Sequence, residues 1–120
     1  MRPGATGLLL ALLLLCACGE PPEAQFPDAD PALGAELIRH HGCGSCHRIP
    51  GIAGAHGQVG PPLTRIARRA YLGGVLPNQP ESMVLWLLNP PAAAPGSAMP
   101  VLGLSEAEAR AIAAYLYTLR

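Results

Sequence analysis

The segment Cys43-Gly44-Ser45-Cys46-His47 constrains this chain more than any other. Two thiols separated by two residues, with an imidazole directly after the second, form the attachment pattern of a c-type haem. The chemistry requires that spacing. Both sulfurs must reach the two vinyl groups of one macrocycle, and the next side chain must then be aimed at the iron. Two other readings use the same cysteines. A thioredoxin-like redox pair would sit in a βαβ context, and the chain has no such pattern. A structural zinc site would take two further Cys or His ligands at short spacing, whereas the other cysteines, Cys16 and Cys18, lie in a leader segment. One covalent haem c, attached through Cys43 and Cys46 with His47 at the iron, is the expected cofactor.

A chain of 120 residues leaves room for one small domain after that leader. Short domains bury a low fraction of their surface, and only one Phe, one Trp and three Tyr are present to build a core. A buried macrocycle would supply the large apolar body that the side chains do not.

The leader opens with Met1-Arg2 and runs through Leu8 to Leu15. That run is too short for a membrane span of about 20 residues and reads as the apolar region of a secretory signal. Leu15-Cys16-Ala17-Cys18 resembles a bacterial lipobox. On that resemblance residues 1–17 are a lipoprotein signal peptide, and Cys18 becomes the acylated first residue. Cys16 is the alternative lipidation site, with Leu15 a poor cleavage residue before it; an ordinary cleaved signal leaving a free thiol is the other reading. The expected location is the periplasmic or other extracytoplasmic face of a bacterial membrane. Without Arg2, seven basic residues, all Arg, stand against eight acidic ones, a formal balance of −1 before haem propionates are counted. No basic stripe exists, so nucleic-acid binding has no electrostatic support.

Residues 18–30 contain Pro21, Pro22 and Pro27 among several acids and show no apolar period, so they read as a lipidated Cys and an extended tether. Twelve residues at about 3.1 Å each would reach roughly 35–40 Å. The domain then spans 31–120. Leu33, Leu37, Ile38 and His41 recur at helical spacing after Pro31, and Gly42 marks the stop. Gly34 inside that helix costs about 1 kcal/mol relative to Ala, a cost that a close helix crossing would explain. Residues 48–61 are Gly-rich loop. Residues 62–71 are a second helical candidate on Leu63, Ile66 and Ala70, ended by Gly73-Gly74 and Pro77-Asn78. Residues 81–88 form a third, with Pro80 at its start and Asn89-Pro90-Pro91 at its end. Four prolines and two glycines over 90–103 argue against a helix or central strand there. Ser105 to Glu108 fits a capping box ahead of a last helix with Ile112, Tyr115, Leu116 and Leu119 on one face. With no convincing alternating strand, the fold class is all-α.

His47 leaves one axial position on the iron. A Met thioether there favours Fe(II), raises the potential and closes the site, which suits electron transfer; an open position suits oxygen, peroxide or gas binding. Met1 leaves with the leader. Met83 sits among apolar neighbours in the third helix and reads as core filler. His40 and His41 are too near the CxxCH in sequence to cross easily to the other face of the ring, and His56 lies in the Gly-rich loop. Met99 has no helical period to explain it, and Pro95 and Pro100 stiffen its loop. Met99 is the preferred second ligand.

From about Pro31 to Arg120 the chain strongly resembles class I cytochrome c. The resemblance rests on Gly34, Cys43-Gly44-Ser45-Cys46-His47, Gly60-Pro61-Pro62-Leu63, Asn89-Pro90 and Pro95-Gly96-Ser97-Ala98-Met99-Pro100. It implies about four helices wrapped around one covalently bound haem. Cys43 and Cys46 would form the thioethers, with His47 and Met99 axial. Pro61 resembles the proline whose carbonyl accepts the ligand imidazole's proton. Ser97 takes the place of a hydroxyl residue that bonds a haem propionate, and Trp86 that of an aromatic packed against the ring. Gly34 and Tyr115 resemble the contact where first and last helices cross. The stretch from Gly34 to Cys43 is one residue longer than in the mitochondrial type, and that type's lysine ring for partner docking is absent. Finer likeness, in Ile49-Pro50-Gly51, Leu76-Pro77-Asn78 and Met99-Pro100, is to small bacterial cytochromes c found with haem–copper oxidases.

The implied function is a monomeric, membrane-tethered electron carrier rather than an enzyme. Its redox partners would be a quinol-oxidising complex or dehydrogenase on one side and a terminal oxidase on the other. Two alternatives stand beside it. One is a haem sensor or peroxidase-like enzyme with a displaceable Met99, and the other a fixed haem subunit of a larger enzyme.

Overall fold

The structure is a computed structural model that describes residues 25–120. The expected signal peptide, Cys18 and the first part of the tether lie outside the described residues. Phe26, within residues 18–30 expected to be tether, already packs against the domain. Phe26 is only 2% exposed. Its ring centroid lies 5.5 Å from that of Tyr117 at a 60° tilt, and the Arg110 guanidinium stands 5.8 Å above it. One apolar ring in an otherwise polar, proline-rich stretch has no period to reveal it, yet its burial alone contributes about 1.5–3 kcal/mol.

Helix α1 spans Pro31–His40. Asp30 caps it by accepting from the Ala32 N–H at 2.8 Å, and Pro31 occupies a first-turn position where its missing N–H has no partner to lose. Beyond its end Gly42 adopts φ 69° and turns the chain into the CxxCH segment. Helix α1 packs against the last helix, named α4 below, through Gly34. A Cβ on Gly34 would run into the Ala111 carbonyl oxygen. Ala109, Ala111, Ala113 and Ala114 are all buried on that last helix, and their small side chains let the two backbones approach. The expected Gly34–Tyr115 contact is present: a Cβ placed on Gly34 would lie 3.0 Å from the Tyr115 Cβ.

Residues 62–71 do not form the expected second helix. Only a three-residue 3₁₀ turn, Ile66–Arg68, survives, because Arg65 takes the left-handed conformation at φ 52° and interrupts the helical path. Two very short strands follow, β1 (Tyr71–Leu72) and β2 (Leu76–Pro77), paired antiparallel with Leu72 opposite Leu76. Two residues per strand are too few to leave an alternation in the sequence. Helix α2, Pro80–Leu88, buries Met83, Val84 and Leu87, so Met83 is core as expected. Helix α3, Pro90–Ala93, is a single turn where the proline count argued against helix. Both prolines stand in its first turn, where no N–H is needed, and Asn89 Oδ1 accepts from Ala92 N at 3.1 Å.

Helix α4, Glu106–Thr118, starts at Ser105 with the expected capping box. The Glu108 N–H donates to Ser105 Oγ at 3.3 Å, and the Ser105 N–H donates to Glu108 Oε2 at 2.8 Å. The core runs between α1, α2 and α4, with Ile38, Met83 and Ile112 each about 1% exposed. The architecture is mostly helical with one minimal hairpin, consistent with a class I cytochrome c fold.

Candidate haem site

The CxxCH segment folds as a 3₁₀ turn, Cys43–Ser45, closed by Ser45 N donating to the Gly42 carbonyl at 3.0 Å and Cys46 N to that of Cys43 at 3.2 Å. Side chains three apart eclipse in such a turn, which sets Cys43 and Cys46 toward the same side. Both are half-buried. Burial pushes the Cys43 thiol up, opposed in part by a backbone hydrogen bond. Among the described residues no group of three or more His, Cys, Asp or Glu side chains is arranged to hold a metal ion.

His47 follows the turn, and its ring is held from two directions. The Nδ1–H donates to the Pro61 carbonyl at 2.7 Å, leaving the Nε2 lone pair as the ring's donor. Gly60 lies against the imidazole so closely that a Cβ there would meet its Cε1 and Nδ1. The Gly60 N–H in turn donates to the Cys46 carbonyl at 2.8 Å, and Leu63 N to that of Arg48 at 2.8 Å. The loop after the motif thus folds back on it and brings Pro61 to His47, as the resemblance implied.

Met99 is half-buried and packs against the core. Its loop is built from a turn in which Ser97 N donates to the Ala94 carbonyl at 2.9 Å. Pro95 at the second position and Gly96 with φ 90° at the third give the type II sequence pattern. Ser97 Oγ then accepts from the Met99 N–H at 3.2 Å, so the hydroxyl holds the Met99 backbone and keeps its own proton for another acceptor. Trp86, on α2, is half-buried at the margin of the core, with its ring edge against Gly73 of the hairpin loop.

The other histidines stand apart from this arrangement. His40 and His56 are exposed. His41 caps the end of α1 and places Nε2 3.7 Å from Glu108 Oε1 of α4.

Residues 31–120 match the family described as Cytochrome c. The chain belongs to the cytochrome c family. Its cofactor is haem c, carried covalently in this family, and the CxxCH spacing of Cys43, Cys46 and His47 is the matching feature. The donor set fits: two same-side thiols, an imidazole with Nε2 available and a thioether in a stiff loop. This cytochrome c domain is also 30% identical over 88 residues to the cytochrome c oxidase subunit 2 of Alkalihalophilus pseudofirmus. That match covers 72% of this chain and 25% of the relative, so the chain spans about a quarter of that protein's length.

Asn78 and Arg69 have roles near the site that the sequence did not assign. Asn78 donates through Nδ2 to the Ile66 and Arg69 carbonyls, both at 2.8 Å. Its Oδ1 accepts from the Tyr117 hydroxyl at 2.8 Å. Arg69 donates to the Pro62 carbonyl, next to the one that holds His47. Tyr115, expected only at the helix crossing, also donates from its hydroxyl to the Pro50 carbonyl at 2.7 Å and pins the loop after His47. Asn78 beside Pro77 looks like a turn residue, and nothing in the sequence marks its side chain as a bridge.

Proposed function

We propose that this protein is a membrane-tethered carrier of single electrons in a respiratory chain, with His47 and Met99 as the two axial ligands of its haem and a haem–copper terminal oxidase as acceptor. The observation that carries the reading is the His47 Nδ1–Pro61 bond at 2.7 Å, which fixes the tautomer and aim of an imidazole directly after two attachment cysteines. Bound haem supplies the reversible Fe(II)/Fe(III) couple. The chain's residues do the rest. His47 is oriented by Pro61 and shielded by Gly60, and the Pro95–Pro100 loop holds Met99 with little freedom left to lose on binding. Ser97 retains a hydroxyl proton suited to a propionate, and Trp86 borders the core. His47 and Met99, each held by a stiff element, would hold the haem with little change between redox states, which favours electron transfer over substrate chemistry.

The oxidase assignment rests on the likeness to a protein named as an oxidase subunit. The same likeness favours a second reading, a fixed haem subunit of one larger enzyme. The tether and extracytoplasmic location rest on Leu15-Cys16-Ala17-Cys18. Among the described residues no helix is long and apolar enough to cross a membrane, so anchoring would come from Cys18. The domain would act as a monomer, through a small and transient interface.

The oxidised holoprotein is expected to show the far-red Met-to-ferric-iron band and to lose it in Met99→Ala. Rapid carbon monoxide binding by the reduced wild type would reject the closed site and support the sensor or peroxidase alternative. Reduced protein mixed with oxidase-containing membranes should be reoxidised faster than it autoxidises; equal rates would reject the oxidase as acceptor. Co-purification with a stoichiometric partner would favour the fixed subunit.

A further inference from the structure

The strongest unassigned feature is a continuous set of bonds from the last helix to the segment that holds His47. Tyr117 is 4% exposed on α4 and donates its hydroxyl proton to Asn78 Oδ1. Asn78 Nδ2 spends both of its protons on the Ile66 and Arg69 carbonyls, the two ends of the 3₁₀ turn. The Asn78 backbone N–H donates to the Ala70 carbonyl at 3.0 Å, so the residue is fixed by its main chain as well. Arg69, thus placed, donates its guanidinium to the Pro62 carbonyl. Pro62 is bonded to Pro61, whose carbonyl accepts from His47 Nδ1. Ala67 N donates to the Leu119 carbonyl at 3.2 Å and ties the same turn to the end of α4 a second time.

We infer that Asn78 is a positioning residue for the His47 ligand: through the 3₁₀ turn and Arg69 it sets the Pro61 carbonyl against the imidazole and so tunes the haem's reduction potential. The position requires two donors on one atom and an acceptor on the next, at a short reach. Only a primary amide meets that demand, and Asn does so at the length the turn allows. Asp would retain the Tyr117 bond and lose both carbonyl bonds, while Ala would leave the buried Tyr117 hydroxyl unpaired and remove the side-chain donor from both carbonyls, that of Ile66 keeping only the Arg69 N–H. A weakened His47–Pro61 bond makes the imidazole a poorer electron donor, which disfavours the ferric state and moves the potential upward.

This inference rests on His47 being an axial ligand, and one measurement separates the two claims. In the oxidised holoprotein, the His47 Nδ1 proton should give a strongly shifted nuclear magnetic resonance signal. Its absence in the wild type would overturn the ligand assignment and this inference together. With the signal present, Asn78→Ala is expected to speed exchange of that proton with solvent at least tenfold and to raise the potential, with the far-red band retained. Tyr117→Phe, which leaves both Asn78 donors in place, should give a smaller change in the same direction. Ile112→Val, a core substitution away from this path, serves as the control for simple loss of stability. If Asn78→Ala lowers the unfolding midpoint but leaves exchange and potential no more altered than in that control, Asn78 is a structural residue only and the inference fails.

Discussion

At Gly60 a single hydrogen stands between the backbone and the His47 imidazole. Gly60→Ala would force the ring or the loop to move, and overpacking of this kind costs about 1–3 kcal/mol. The expected outcome is a lower denaturant midpoint together with an altered Met-to-iron band, since the ring cannot yield without shifting its ligand atom. An unchanged midpoint would mean that the loop relaxes freely. At this scale the sequence was legible where chemistry demands a residue type. Cys43, Cys46 and His47 form such a pattern, and Met99 stood out because no helical period claimed it. Asn78 was not legible, since a short amide beside a proline is as common in a turn as in a bridge. Gly60 belongs to the Gly60-Pro61-Pro62-Leu63 motif, and the reason for it is the ring laid against it.

Helix α4 shows what a local pattern can determine unaided. Ser105 and Glu108 are three residues apart, and both halves of their capping box form. Ser105→Ala should cost about 1 kcal/mol, read from urea unfolding at neutral pH. Glu108 has its carboxyl held below the usual range, first by the Ser105 N–H, then by the Ser105 hydroxyl, with His41 adding to the effect. A carboxyl lowered in the folded state stabilises above its unfolded value and loses that contribution as pH falls through the folded one. Glu108→Gln should therefore flatten the acid limb of a stability–pH curve, while leaving neutral-to-alkaline behaviour alike in shape. Residues 62–71 mark the opposite case. Leu63, Ile66 and Ala70 keep a helical spacing, but Arg65 is bent out of helix and Asn78 Nδ2 bonds the carbonyls of Ile66 and Arg69, the first shared with the Arg69 N–H. Tertiary partners overrode propensity there.

The molecule as a whole depends on few large side chains. The chain contains one Phe and one Trp, and Phe26 is buried against Tyr117 of α4. Cys43→Ala/Cys46→Ala, which cannot form the thioethers, is expected to lose its cooperative thermal transition and much of its helical circular dichroism. A sharp transition in that variant would show that the side chains alone suffice. Tyr117 adds an alkaline limit. Burial, with Glu81 adding a smaller repulsion, pushes its phenol up to about 12. A proton held more tightly in the folded state stabilises below the unfolded value of about 10 and ceases to do so as pH rises through the folded one. Stability should fall between about pH 10 and 12, and Tyr117→Phe should remove most of that slope in equilibrium unfolding followed against pH.

What the sequence determined by itself was whatever depends on fixed spacing along the chain. The haem attachment turn, the capped last helix, the glycine at the helix crossing and the methionine in a proline-stiffened loop all belong to that kind, because covalent geometry sets their relations over a few residues. Only the tertiary structure decided where Phe26 is buried, that residues 62–71 abandon their helix, and that Asn78 joins Tyr117 to the segment holding His47. Those outcomes turn on groups far apart in sequence competing for the same carbonyls and the same apolar space, and no local pattern records which partner wins.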